Sequence, residues 1–283
     1  MTPSSTKVAV LGLGIIGSRA CANLLKAGWL VASWNRTPKG TQSEVGSAAQ
    51  AIAGASIVSI YLRDSPAVRE VISGAADSLT TGQIVLNHAT LDVETTKWLA
   101  TLCADKGCRF LDCPFTGSKA AAGSGALAYY IGGDAALADE LDNFLSATST
   151  SRLHCGEIGS ATVIKLATNL LSSAIVQATA EALGITKGHG VEPAVLGEAI
   201  SRNANSCKLI DMKLPQMLAG DYDTHFSLSN MAKDSRYMLE LAKAAGIETP
   251  AIAAVSKRMH ELSDVGLGDL DFAALGKPYL QAE

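Results

Sequence analysis

The sequence is poor in what several functional classes require. Cysteines are few and scattered, at 21, 103, 108, 113, 155 and 207, with no CxxC pair and no Cys/His cluster at zinc-ligand spacing. No metal site and no disulfide framework is expected; in a chain of 283 residues such thiols read as reduced small hydrophobes, which fits a cytoplasmic home. A basic surplus is also missing. With a net charge of −4, nothing general recruits nucleic acid or an anionic membrane surface. Charged residues make up 18% against 48% hydrophobic, a globular balance with ample material for a core. The opening MTPSSTK is polar and runs straight into a strand-like segment, so no secretory signal is expected.

Long apolar runs are scarce too, with one exception. Residues 160–188, SATVIKLATNLLSSAIVQATAEALGITKG, exceed the roughly 20 residues that span a bilayer. Lys165, Asn169, Gln177 and Glu181 fall inside this run, where charges are costly in hydrocarbon. A long helix between protein layers, not a membrane span, is the expectation.

What the first half does contain is alternation. Short apolar runs at 8–13, 30–35, 56–62, 83–89, 110–115 and 127–133 have the continuous character of strands covered on both faces. Helix-length stretches such as SRACANLLKAG and VETTKWLATLCADKG separate the earlier ones. This order predicts a Rossmann-type, doubly wound parallel sheet, an α/β fold. GSKAAAGSGA, 117–126, reads as a flexible loop. Strand signals stop near residue 156 and helical patterns continue to the end. Two domains are therefore expected, a dinucleotide-binding domain over 1–159 and a helical domain over 160–283, divided at GEIGSA.

VAVLGLGIIGSRACANLLKAG places Gly12, Gly14 and Gly17 in a GxGxxG between a strand and a helix, the context that a dinucleotide fingerprint requires. Gly12 permits the turn, Gly14 lets a pyrophosphate approach the backbone, and Gly17 allows close helix–strand packing. Leu13, Ile15 and Ile16 complete the cradle at the helix N-terminus. WNRTPKG ends the second strand, where an acidic residue would accept hydrogen bonds from both ribose hydroxyls. Asn35 can still touch the ribose there, while Arg36, Thr37 and Lys39 can bind a 2′-phosphate. NADP(H) is the cofactor this turn predicts.

Three further stretches could face the nicotinamide. Thr90 follows the fourth strand, and DCPFTGSK offers Thr116, the Gly117 amide and Ser118 as neutral donors suited to a carboxylate. In GSATVIKLATN, Lys165 and Asn169 lie four residues apart on one helix face. An ammonium in so apolar a helix must reach a polar cleft or snorkel to water. In the first case Lys165 would serve as general acid for a new alkoxide, with Asn169 holding the lysine or the reacting oxygen. Farther on, HFSLSNMAKDSRY sets Phe226, Lys233 and Asp234 around a helix start; the Lys-Asp pair alone reads as a surface ion pair.

These blocks, in this order, resemble the β-hydroxyacid dehydrogenase family, which includes 3-hydroxyisobutyrate dehydrogenases. GLGIIG, PFTGSK, GEIGSATVIKLATN and AKD stand where that family has its glycine motif, substrate loop, catalytic helix and C-terminal KD pair. WNRT, Gly117-Ser118-Lys119 and the tail GLGDLDF at 266–272 are similar to the glyoxylate and succinic semialdehyde reductase branch. The resemblance implies Lys165 as catalytic acid, Thr90, Thr116, Gly117, Asn169, Phe226 and Asp234 on the substrate side, and Leu62, Thr90 and Lys233 beside the cofactor. It also implies a cleft between the domains, a small carboxylate-bearing substrate, and homodimers or homotetramers. Imine reductases share much of this scaffold but usually carry aspartate or tyrosine at the position of Lys165, and a non-catalytic dinucleotide-binding member would be expected to lose that lysine. Departures fall in the pocket. Ile16 replaces a methionine, Thr116 a serine, Phe115 a valine, and His88-Ala89 a Met-Ser pair. His88 could donate to substrate, although a backbone hydrogen bond at a strand end is the simpler expectation.

Overall fold

The computed structural model describes residues 1–281 and divides into two compact units, Met1–Lys165 and a second beginning at Leu166. Strands β1 (Lys7–Leu11), β2 (Leu30–Trp34), β3 (Ile57–Ile60), β4 (Ile84–Asn87) and β5 (Arg109–Asp112) pair in parallel in the order β2-β1-β3-β4-β5. The chain then departs from a purely parallel sheet. β6 (Phe115–Thr116) and β7 (Leu127–Gly132) are antiparallel additions, and β8 (Ser149–Gly156) pairs in parallel with β7. β8 was not expected: STSRLHCG is polar and largely exposed, so it has no apolar periodicity to read.

Alternation along each buried strand feeds two cores. Val8, Val10, Ile57, Ile84 and Leu86 face one layer, made by α1 (Gly17–Lys26) and by later helices named below, while Ala9, Leu11, Val58, Ile60 and Val85 face the other. That second layer is α2 (Ala48–Ile52), α3 (Ser65–Ala75) and α4 (Val93–Asp105). Each of these three opens on a side-chain cap, from Ser47, Asp64 and Asp92. The first layer is completed by α5 (Lys119–Gly123), α6 (Ala135–Glu140) and α7 (Asp142–Ser146). α5 corrects the loop expected over 117–126. Ser118 caps it by accepting from the Ala121 amide, and Ala122 packs into the core, so the Gly/Ser-rich composition concealed a short helix.

α8 (Ser160–Gly188) begins in the first unit and continues into the second. By length and composition it could cross a membrane, yet Thr162, Lys165, Asn169, Ser173 and Gln177, at spacings of three and four, are all buried. The second unit continues with α9 (Pro193–Ser201), α10 (Lys208–Ala219), α11 (Leu228–Ala244), α12 (Pro250–Leu262) and the short α13 (Lys277–Leu280). Its core gathers Val176 and Leu183 of α8, Leu214 and Met217 of α10, Met259 of α12, and Phe272 from the tail.

Candidate active site

Strand order reverses direction at β1, whose neighbours are β2 and β3, so the crevice beyond the carboxyl ends of these strands is where an open α/β sheet binds its ligand. Gly12 sits there with φ of 101°, and its amide donates to the Trp34 carbonyl at 2.8 Å. A Cβ at Gly12 would lie 2.6 Å from the Tyr61 carbonyl oxygen, and one at Gly17 would collide with the Gly12 carbonyl. Around Gly14, by contrast, a Cβ would meet nothing within 4 Å. Two glycines are thus held by packing and the middle one faces open space, the arrangement that admits a pyrophosphate against the helix N-terminus. A dinucleotide fits these residues. Gly14 and Ile15 are exposed, Ile16 and Leu62 half-buried, and Leu13 buried.

Asn35 joins the two halves of the cofactor site. Its Oδ1 accepts from the Leu13 amide at 2.8 Å, and its Nδ2 donates to the Thr37 carbonyl at 2.7 Å. Two carboxylates that local reading missed meet the turn beyond. Glu44 accepts from the amides of Lys39 and Gly40 at 2.9 and 2.8 Å, and Glu70 of α3 pairs with Arg36 at 2.8 Å. A pocket of about 420 Å³ opens beside this turn, lined by Trp34, Arg36, Pro38, Thr41 and Glu44 among others.

At the ends of β4 and β5 the side chains interlock. Asn87 brackets Ala89, accepting from its amide and donating to its carbonyl, which shapes the turn before the half-buried Thr90. His88 is buried, and its Nδ1 contacts the Cys113 carbonyl at 2.8 Å, so that nitrogen carries the proton in the neutral ring. This is the expected strand-end role. The ring stacks on Tyr61 at 4.5 Å and tilts against Tyr129 at 4.9 Å, and its Nε2 has no hydrogen-bond partner among the described residues. Burial holds its pKa down at about 4. Tyr61 and Tyr129 share a hydroxyl contact of 3.0 Å, and burial pushes both phenols up.

Cys113 leads into Phe115 and Thr116, both half-buried, and then Gly117, whose φ of 141° and 2.9 Å Cβ clearance from Leu127 favour glycine. Lys165 is only 7% exposed, and its Nζ lies 5.8 Å from the Phe115 ring centroid. The ammonium therefore does not snorkel to water from the first turns of α8. It sits over the loop that carries Thr116.

In the second unit, Asn169 donates to Asp234 at 2.6 Å, and Lys233 lies 2.9 Å from the other carboxylate oxygen. Asp234 is buried, which corrects the surface ion pair expected from the sequence. Sequence reasoning gave no role to Asp271 in the GLGDLDF tail. It is fully buried, pairs with Lys213 at 2.6 Å, and accepts from the His225 and Phe226 amides at 3.0 and 3.1 Å, fixing the turn that carries Phe226.

Residues 7–159 match the NAD-binding domain of 6-phosphogluconate dehydrogenase, and residues 159–279 match the NAD-binding model of NADP-dependent 3-hydroxyisobutyrate dehydrogenase. The chain belongs to the β-hydroxyacid dehydrogenase family. It is accordingly a nicotinamide-dependent oxidoreductase of the hydroxyacid dehydrogenase type. Among relatives of known name it is 30% identical to glyoxylate/succinic semialdehyde reductase 2, chloroplastic, of Arabidopsis thaliana, over 96% of this chain and 78% of that protein. It is also 26% identical to the cytokine-like nuclear factor N-PAC of Mus musculus, over 99% of this chain but about half (52%) of N-PAC. The solved structure of Mycobacterium tuberculosis 3-hydroxyisobutyrate dehydrogenase with L-serine superposes with a TM-score of 0.89 at 24% identity, covering 100% of both chains, a likeness of fold.

Proposed function

We propose that this β-hydroxyacid dehydrogenase reduces a small carboxylate-bearing aldehyde, of the glyoxylate or succinic semialdehyde class, with NADPH. The observation that carries the reading is the buried Lys165 ammonium over the Phe115–Thr116 loop, in the same unit as the glycine turn. A bound nicotinamide supplies the hydride. As negative charge grows on the carbonyl oxygen, Lys165 stabilises it and donates the proton that completes the alcohol, a contribution of roughly 10²–10⁴-fold for general acid catalysis. Thr90, Thr116 and the Gly117 amide bind the carboxylate with neutral donors, and Asn169, Phe226 and Asp234 are assigned to the substrate side. On the cofactor side, residues 12–17 and Leu62 take the dinucleotide and Asn35 organises the ribose end; Lys233 is assigned to the cofactor by family resemblance alone. Arg36, Thr37 and Lys39 favour a 2′-phosphate, in line with the NADP-dependent description of the family model that matches residues 159–279.

Thr116, one methyl larger than the serine it replaces, and the bulky Phe115 narrow the pocket and favour the smaller aldehyde. Initial rates of NADPH oxidation with glyoxylate and with succinic semialdehyde, NADH alongside, test this. NADPH-dependent turnover of at least one is expected, glyoxylate preferred. Turnover of neither, with NADPH tightly bound, would overturn the substrate class.

A further inference from the structure

Asp112, the last residue of β5, is fully buried and has no part in the chemistry assigned above. Its carboxylate reaches across to the first turn of α8. One oxygen accepts from the Thr162 amide at 2.8 Å, and both lie 2.9 Å from the Thr162 hydroxyl. The amide of Thr162 is among the first four of the helix, which have no intrahelical acceptor, so an outside carboxylate caps α8 where the helix dipole also favours negative charge. The Thr162 hydroxyl further contacts that of Thr96 at 3.0 Å, and Thr96 reaches the Asp92 carbonyl at 3.1 Å, which ties the same turn to α4.

Two short paths lead out from Asp112. Along the chain, three residues reach Phe115. Through its hydrogen bonds to Thr162, three more residues of helix reach Lys165. They meet again where the Lys165 ammonium lies 5.8 Å from the Phe115 ring. Asp112, Thr162 and Lys165, the polar members of this closed circuit, are all buried, and the hydrogen bonds between Asp112 and Thr162 are screened from water. We propose that Asp112 is a positioning residue for Lys165: by clamping the first turn of α8 to the end of β5, it sets where the ammonium stands relative to the Phe115–Thr116 loop. The same carboxylate is needed for catalysis without touching substrate or cofactor. Burial outweighs its hydrogen bonds and raises its pKa to about 6, a sign that the charged group is retained at a site unfavourable to it.

The proposal rests on Lys165 as the acid, so the test separates the two. Thr162→Val removes the hydroxyl while keeping shape, Thr162→Ser restores it, and Asp112→Asn keeps one acceptor oxygen. Misplacement by about 1 Å can lower a rate on the order of 10²-fold. Thr162→Val and Asp112→Asn should lower kcat about 10–100-fold while KM and the Kd for NADPH move less than about threefold, and Thr162→Ser should stay within about threefold of the parent. Hydrogen exchange at residues 160–165 should accelerate in Thr162→Val and Asp112→Asn even without cofactor or substrate. In a Lys165→Met background, the residual turnover should be insensitive to Thr162→Val, because the two act through one group.

Unchanged kcat or unchanged exchange in both clamp variants, with Lys165→Met inactive, would overturn the positioning role alone. Additive losses in the double variant would overturn it as well, by showing that the clamp acts independently of Lys165. Full turnover in Lys165→Met would overturn the acid assignment and, with it, the clamp's purpose.

Discussion

Acid should destabilise the first unit through His88, by an amount that the structure sets. The ring is fully buried and its pKa lies at about 4, against 6.5 for an ordinary histidine. As pH falls through 6.5 the unfolded chain takes up a proton that the folded chain refuses until about pH 4, so the stability held by neutral His88 is intact above 6.5 and lost between 6.5 and 4. The distance between 6.5 and about 4 corresponds to about 3 kcal/mol in total, of which about 2 kcal/mol is lost between pH 7 and pH 5. Asp112 works in the opposite direction. Its carboxyl is raised from 3.8 to about 6, so its destabilising charge is relieved as pH falls, returning about 1 kcal/mol over the same interval. From these two groups alone the parent protein loses only about 1 kcal/mol, and its pH profile partly conceals both.

The variant His88→Phe exposes the term. It leaves the Cys113 carbonyl without its partner, a pH-independent loss of about 1–3 kcal/mol. The parent's advantage over the variant should then shrink by about 2 kcal/mol between pH 7 and pH 5. All three tryptophans, Trp29, Trp34 and Trp98, lie in the first unit, so urea unfolding followed by their fluorescence reports on that unit. An advantage that is constant with pH, or that grows in acid, would refute the reasoning.

The glycine turn yields a paired expectation. Gly14→Ala should leave thermal stability unchanged, because its Cβ meets nothing within 4 Å, while weakening NADPH binding at least about tenfold; Gly17→Ala should lower Tm by itself, since its Cβ collides with the Gly12 carbonyl. Arg36→Ala should weaken NADPH much more than NADH in titration calorimetry, and Glu70→Gln, which releases Arg36, should tighten NADPH by up to about fivefold. Asp271→Ala leaves Lys213 buried without its counter-charge and should cost about 3–5 kcal/mol, measured by thermal unfolding followed in the far ultraviolet.

What could be read from the sequence was whatever a few consecutive residues decide. The glycine turn, the strands on either side of β1 and the helix-length stretches that form α1 and α4 depend on local spacing, so they were legible. Features missed depend on distant partners. Asp112 meets Thr162 fifty positions away, and Lys213 meets Asp271 at a separation of 58. Nothing near Arg36 in the chain announces Glu70, which arrives on α3. The Lys233–Asp234 pair looked superficial because adjacent charges usually are, whereas Asn169 covers Asp234 from α8. β8 and α5 were hidden for another reason: an edge of polar residues and an Ala/Gly/Ser run carry no hydrophobic period.

The central claim is that Lys165 is the proton donor. Its most direct test is NADPH oxidation by Lys165→Met beside the parent, on whichever aldehyde the parent turns over, with NADPH affinity measured separately. With Lys165 as the acid, kcat falls at least about 10²-fold while the Kd for NADPH stays within about threefold. A variant that turns over within about threefold of the parent would contradict it.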